Sequence, residues 1–350
     1  MQGKTAIDII GKAIHIGASD VHIVAFQPPI YRVNGTLITL PASEVLSQQD
    51  TRNFGEEMIP NSSVKHNIEE YGQADFAHSF PGLGRVRINI YIQGGSWAAA
   101  LRLIPLEVPV LSTLGLPPIV AELTRQEQGL ILVTGATGSG KSTTLAGMIN
   151  YINHSRRNNI ITLEDPIEFL HQHGKCMVNQ REVGRDTSSF TLGLRAALRQ
   201  DPDIIMIGEM RDLETISIAI TAAETGHLIM ASLHSGNAIQ TLERMIGVFP
   251  PHQQFQVRLQ LATSLLGIIS QQLIPAADGN SRLVAAEILI VNPAIRNLIR
   301  ENKIHQIYSA IQTGSSIGMI SMHKAVKTLY EQNRISCENF NKYGADGFSS

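Results

Sequence analysis

The run Gly135-Ala136-Thr137-Gly138-Ser139-Gly140-Lys141-Ser142 restricts this chain more than any other feature of its sequence. It has the spacing G-x-x-x-x-G-K-[ST], and it lies between an apolar run at 130–134 and a helical pattern at 141–153. With 29 glycines in 350 residues, chance supplies such a match in only about one chain in a hundred of this composition. Glycines let successive backbone N–H groups turn inward around phosphate oxygens at the positive end of a helix. The expected nucleotide contacts are therefore the backbone of Gly135, Ala136, Thr137, Gly138, Ser139 and Gly140, with the Lys141 ammonium on the β and γ phosphates. The Ser142 hydroxyl is the expected Mg²⁺ ligand, and Thr143 is placed near the α-phosphate, so ATP and Mg²⁺ are the expected ligands.

Beyond the loop, apolar strands alternate with helical patterns: strand 160–163, helix 190–199, strand 204–207, helix 213–225 and strand 228–233. Near-continuous apolar strands separated by helices predict an α/β fold with a parallel sheet covered on both faces. Ligands of such sheets bind beyond the carboxyl ends of the strands. Three strand ends carry polar groups there: Glu164 before Asp165-Pro166, Glu209 after Gly208, and His234. The run 203–209 resembles a Walker B segment, whose terminal acid holds Mg²⁺ or polarises the attacking water. Glu164 is placed alike, with Pro166 keeping its segment out of helix. One acid would orient water and the other hold metal, and the sequence leaves the assignment open. His234 is read as a sensor of the γ-phosphate, and His227, after Gly226, is a weaker candidate.

The first hundred residues follow a different rhythm. Alternating runs at 20–24, 30–33 and 36–40 are punctuated by Asn34-Gly35, the pair that favours a two-residue hairpin. A second hairpin is expected from 74–80 and 85–92 around Pro81-Gly82-Leu83-Gly84. In its second strand Val86, Ile88, Ile90 and Ile92 share one face, which leaves Arg85, Arg87, Asn89 and Tyr91 on the other. Four prolines between 105 and 118 mark a linker, and 252–343 reads as mostly helical by periodicity. The charge balance is −2, with 17% charged residues, and no aromatic-plus-basic cluster is present, so a nucleic-acid partner is not expected. Cys176 and Cys337 show no metal-ligand spacing and read as reduced thiols. The first eleven residues lack an apolar signal region, and no apolar run reaches the length of a span, so a cytoplasmic chain without a direct membrane span is expected.

Several of these segments together resemble one family. Residues 161–168, Ile-Thr-Leu-Glu-Asp-Pro-Ile-Glu, resemble the Asp box of the type II/type IV secretion ATPase superfamily, and 225–234 resembles its His box. Gly17-Ala18-Ser19-Asp20-Val21-His22 is similar to its amino-terminal signature. Residues 294–301, Ala-Ile-Arg-Asn-Leu-Ile-Arg-Glu, match the carboxyl-terminal motif of the type IV pilus retraction ATPases, the PilT group. Read from its residues alone, that motif is a helix start with Asn292 as N-cap, Pro293 in the first turn, and Ile295, Leu298 and Ile299 as the buried stripe.

The resemblance implies a PAS-like α+β domain over 1–104, a linker over 105–118 and a RecA-like P-loop NTPase core over 119–350 with a helical carboxyl-terminal region. It implies a homo-hexamer that hydrolyses ATP with Mg²⁺ to drive pilus retraction and twitching motility. The expected partner is an inner-membrane pilus platform protein, and the expected place is the cytoplasmic side of the inner membrane at the pilus base. Arg85 and Arg87 match arginines that reach the nucleotide in the family. The alternatives are a related secretion ATPase, an accessory pilus ATPase or, disfavoured by charge, a RecA-like nucleic-acid translocase.

Overall fold

The computed structural model describes residues 5–33, 35–80, 82–104, 107–279 and 281–344. Asn34, Pro81 and Pro105, which the sequence reading used for two turns and the start of the linker, lie outside them. The chain divides into two units, 1–107 and 108–350.

The first unit contains α1 (Ala6–His15), β1 (Asp20–Ile23), β2 (Ile30–Val33), β3 (Thr36–Thr39), α2 (Gln48–Met58), α3 (Ser62–Tyr71), β4 (Gln73–Phe80), β5 (Gly84–Gln93) and β6 (Ser96–Ile104). The six strands form one sheet in the order β3-β2-β1-β6-β5-β4, and every neighbouring pair is antiparallel. Val33 of β2 pairs with Thr36 of β3. Period-two alternation turns Val86, Ile88 and Ile90 toward Ile9 and Ile10 of α1, Phe54 and Met58 of α2 and Ile68 of α3. Ile92, read as part of the same apolar face, is exposed at the end of β5. β6 was not expected: three alanines in a row give it little strand signal, and pairing with both β1 and β5 makes it central.

The second unit begins to pack at Leu111, buried beside Val120 and Leu123 of the short helix α4 (Ile119–Leu123). There follow β7 (Gly129–Thr134), α5 (Lys141–Ser155), β8 (Asn159–Glu164), β9 (Met177–Glu182), α6 (Phe190–Ala197), β10 (Ile204–Ile207), α7 (Leu213–Glu224) and β11 (Leu228–Leu233). The remainder is α8 (Ala238–Gly247), α9 (Pro251–Ser264), β12 (Leu265–Pro275), β13 (Arg282–Ile290), α10 (Pro293–Arg300), α11 (Ile307–Thr313), α12 (Met322–Glu331) and α13 (Cys337–Tyr343). The sheet order is β13-β12-β7-β11-β10-β8-β9, parallel except for the β12–β13 pair at one edge.

Residues of the central strands alternate between two cores. Leu130, Leu132, Ile161, Leu163, Ile205 and Ile207 face α6 to α11, while Ile131, Val133, Ile160, Ile204 and Met206 face α4 and α5. A strand buried on both faces must be apolar throughout, which is why these strands read as continuous apolar runs. The tail departs from its helical reading at 265–290, where β12 and β13 pair over nine residue pairs and extend the sheet. The α10 start is as its residues suggest: the Asn292 side chain accepts from the Ile295 N–H at 2.9 Å, Pro293 is in the first turn, and Ile295 and Ile299 are buried.

Candidate functional site

The glycine-rich loop connects the end of β7 to the start of α5. Gly135 has φ 144°, and a Cβ there would lie 2.4 Å from the Gln271 carbonyl oxygen and 2.5 Å from Ser139 Oγ, so only glycine permits this approach. Lys141 folds back over the loop. Its Nζ donates to the carbonyls of Gly135 at 2.9 Å and Ala136 at 3.0 Å. Among the described residues no side chain caps the first turn of α5, whose N-cap position is Gly140. Ser142 is exposed and Thr143 is half-buried in that first turn. Ser139 Oγ is buried without a hydrogen-bond partner among the described residues.

These features fit a phosphate chain. An uncapped helix start leaves donors and a positive dipole end unsatisfied. Burial lowers the proton affinity of Lys141, against the raising effect of the charges on Glu209 and Glu168. A bound anion would supply the countercharge that this ammonium lacks. Ser142 and Glu209 offer the hard oxygen donors that suit Mg²⁺, an ion usually held by one or two protein groups together with substrate phosphates.

The sheet order places the ends of β7, β11, β10 and β8 side by side, carrying the loop, His234, Glu209 and Glu164 in turn. Glu209 and His234 meet directly: His234 Nε2 is 3.2 Å from Glu209 Oε1, and Arg211 Nη2 is 2.6 Å from Oε2. Burial alone would raise the Glu209 carboxyl, but the Arg211 hydrogen bond and the His234 charge outweigh it and hold the group below the ordinary range. Glu164 is buried deeper. Its Oε1 accepts from the Thr162 hydroxyl at 2.7 Å and from Gln180 Nε2 at 2.9 Å. Burial nevertheless dominates and pushes the Glu164 carboxyl up, with those bonds and a backbone bond at Glu168 only partly offsetting it.

Other candidates have local partners. His227 Nδ1 is 3.0 Å from the Ala222 carbonyl at the end of α7. Asp203, at the start of the Walker-B-like run, accepts the Asn159 N–H at 2.7 Å between strand starts. In the first unit, Arg85 is 6% exposed and its Nη1 donates to Ser79 Oγ at 3.3 Å. Arg87 forms a two-point pair with Asp75, Nε to Oδ1 at 3.2 Å and Nη2 to Oδ2 at 2.8 Å. One residue against the loop escaped the sequence reading. Gln271 of β12 donates from Nε2 to the Ser139 carbonyl at 2.7 Å. A polar pair, Gln271-Gln272, interrupting an apolar stretch was its only signal.

Residues 113–342 match the family described as "Type II/IV secretion system protein". The chain is 47% identical over 325 residues to the "Type IV pilus retractation ATPase PilT" of Pseudomonas aeruginosa, covering 92% of this chain and 93% of that protein. It is 41% identical to the "Type IV pilus ATPase PilU" of the same organism, covering 92% of this chain and 84% of that one. A solved structure described as the "Crystal Structure of the Pilus Retraction Motor PilT and Bound ADP" superposes with a TM-score of 0.91 at 47% identity, covering 97% of each chain. With the phosphate loop and the strand-end groups in this order, and likeness over nearly the whole chain, the protein belongs to the type II/IV secretion ATPase superfamily and is an ATPase.

Proposed function

We propose that this chain is a Mg²⁺-dependent motor of type IV pilus retraction, working as a ring of six copies on the cytoplasmic side of the inner membrane against a pilus platform protein. The observation that carries the reading is 47% identity to a pilus retraction ATPase across nine-tenths of both chains, with the phosphate loop in place. Higher identity to that retraction ATPase than to the relative named type IV pilus ATPase PilU, 47% against 41%, favours retraction itself over the related roles.

In the proposed reaction the loop backbone from Gly135 to Gly140 receives the phosphates, and Lys141 exchanges its carbonyl partners for phosphate oxygens. Ser142 and Glu209 would hold Mg²⁺, which would supply neutralisation of phosphate charge. Glu164 is assigned to the proton of the attacking water, because burial raises its proton affinity toward that of a useful base. Glu209, kept ionised by Arg211 and His234, suits the cation side, and its charge also acts on Lys141. His234 would report the γ-phosphate to Glu209 through their shared contact. Arg85 and Arg87 are proposed to add cationic charge during turnover, a contribution worth about 10³ to 10⁵ in rate where an arginine serves this role. Steady-state ATP hydrolysis by purified protein, with and without Mg²⁺, tests the chemistry. Turnover dependent on Mg²⁺ and lost in Lys141→Ala supports it, and turnover untouched by that substitution refutes it.

A further inference from the structure

β12 runs parallel to β7 and sets Ser270 opposite Thr134, their hydroxyls 2.8 Å apart. The next residue, Gln271, therefore lies level with the start of the phosphate loop. It is 2% exposed. Its Nε2 donates to the Ser139 carbonyl, while its Oε1 is buried with no hydrogen-bond partner among the described residues. A buried acceptor left without a partner is a standing cost that a methionine or leucine of similar volume would not incur. The donor half of this amide must then be worth that cost.

Its use follows from peptide geometry. In a trans peptide the C=O and N–H point in opposite directions. Holding the Ser139 carbonyl toward β12 aims the following N–H, that of Gly140, away from β12. Gly140 has φ 89°, a backbone conformation that favours glycine, and a Cβ on it would lie in tight contact with the amide, 3.1 Å from Gln271 Nε2. The same freedom leaves this peptide free to rotate when nothing holds it, and rotation would present a carbonyl where a phosphate oxygen needs a donor.

We propose that Gln271 is a positioning residue for nucleotide binding, holding the Ser139–Gly140 peptide in the orientation that receives a nucleoside diphosphate. The proposal rests on the phosphate-loop reading above. Loop N–H groups cradle phosphates that are not transferred. Their loss weakens reactant, transition state and product alike, so it raises KM and the ADP Kd and spares kcat.

The test uses the full chain as wild type, Gln271→Met, Gln271→Glu and Lys141→Ala. It measures the Kd of a fluorescent ADP with Mg²⁺, KM and kcat for ATP, and Tm without nucleotide. Gln271→Met should weaken ADP and raise KM by about tenfold, the size of one hydrogen bond, with kcat within about threefold. Its Tm without nucleotide should stay level or rise. Gln271→Glu keeps the length, loses the donor when ionised, and should weaken ADP at least as much, which carries the test should the methionine variant not fold. A folded Gln271 variant with an ADP Kd within about twofold of wild type overturns the proposal, as does a fall confined to kcat. Lys141→Ala separates the two readings. If it loses ADP while the Gln271 variants bind normally, only the positioning role fails, and if it binds ADP like wild type, the phosphate-loop reading itself fails.

Discussion

Glu164 ends β8 and Glu209 follows the end of the neighbouring strand β10, yet burial raises the proton affinity of the first while Arg211 and His234 lower that of the second. Environments that drive two acids apart are how a site divides base from charge stabiliser. Glu164→Gln should bind ADP within a few-fold of wild type and lose about 10² to 10⁴ in turnover. Glu209→Gln should lose turnover comparably and also lose most of the Mg²⁺ enhancement of ADP binding. Paired titrations and rate measurements check both, and wild-type turnover in either variant removes that residue from its role. Lys141→Ala deletes a charge-assisted contact worth about 1.5 to 3 kcal/mol, so ADP affinity should fall roughly 10- to 100-fold. Calorimetry or fluorescence titration reads that change directly.

At the scale of elements, β12 and β13 join the phosphate loop to the carboxyl-terminal helices. Glu287 of β13 pairs in register with Ser270 of β12 and accepts the Ala238 N–H at 2.9 Å, with a further backbone bond at Met322. Two helix starts, those of α8 and α12, thus converge on one buried carboxyl. Burial raises its proton affinity more than these bonds lower it. The folded state therefore binds the proton more tightly than the unfolded chain. The stability this gives is full below the ordinary glutamate value of 4.5 and is lost as pH rises through the higher folded value. Glu287→Gln removes that dependence, so its Tm relative to wild type should climb as pH rises from about 4.5 toward neutrality. A difference that stays flat or falls over that range contradicts the assignment.

The elements flanking the loop were legible because strands buried on both faces leave an unbroken apolar record, as at Ile204–Ile207 and Leu228–Leu233. β12 was not. Leu265, Leu266, Ile268 and Ile269 fall at helical spacing, and only pairing with β7 and β13 decides for strand. Edge strand β9, Met-Val-Asn-Gln-Arg-Glu, carries too little apolar signal to be read. The candidate site was legible to the same extent: the loop residues, Glu164, Glu209 and His234 are candidates by their places at strand ends, whereas Gln271 went unseen with its strand. The opposite shifts of the two acids depend on the depth at which Glu164 is buried, against the bonds from Thr162 and Gln180, and on Arg211 and His234 beside Glu209, surroundings that only the folded chain assembles.

At the scale of the whole molecule, the proposed ring predicts a concentration-dependent mass near six copies by sedimentation, favoured by nucleotide, and monomers under all conditions would contradict it. If Arg85 and Arg87 act on another copy's nucleotide, mixing Arg85→Ala/Arg87→Ala subunits with Lys141→Ala subunits should restore hydrolysis that neither has alone. Wild-type hydrolysis by the double arginine variant alone removes them from the reaction. The central claim, that hydrolysis at this phosphate loop pulls pili back, is tested most directly by filming labelled pili in host cells deleted for this chain. Retraction should return with the wild-type chain and stay absent with a stably expressed Lys141→Ala chain. Retraction at the wild-type frequency with Lys141→Ala, or with no copy of the chain at all, would contradict it.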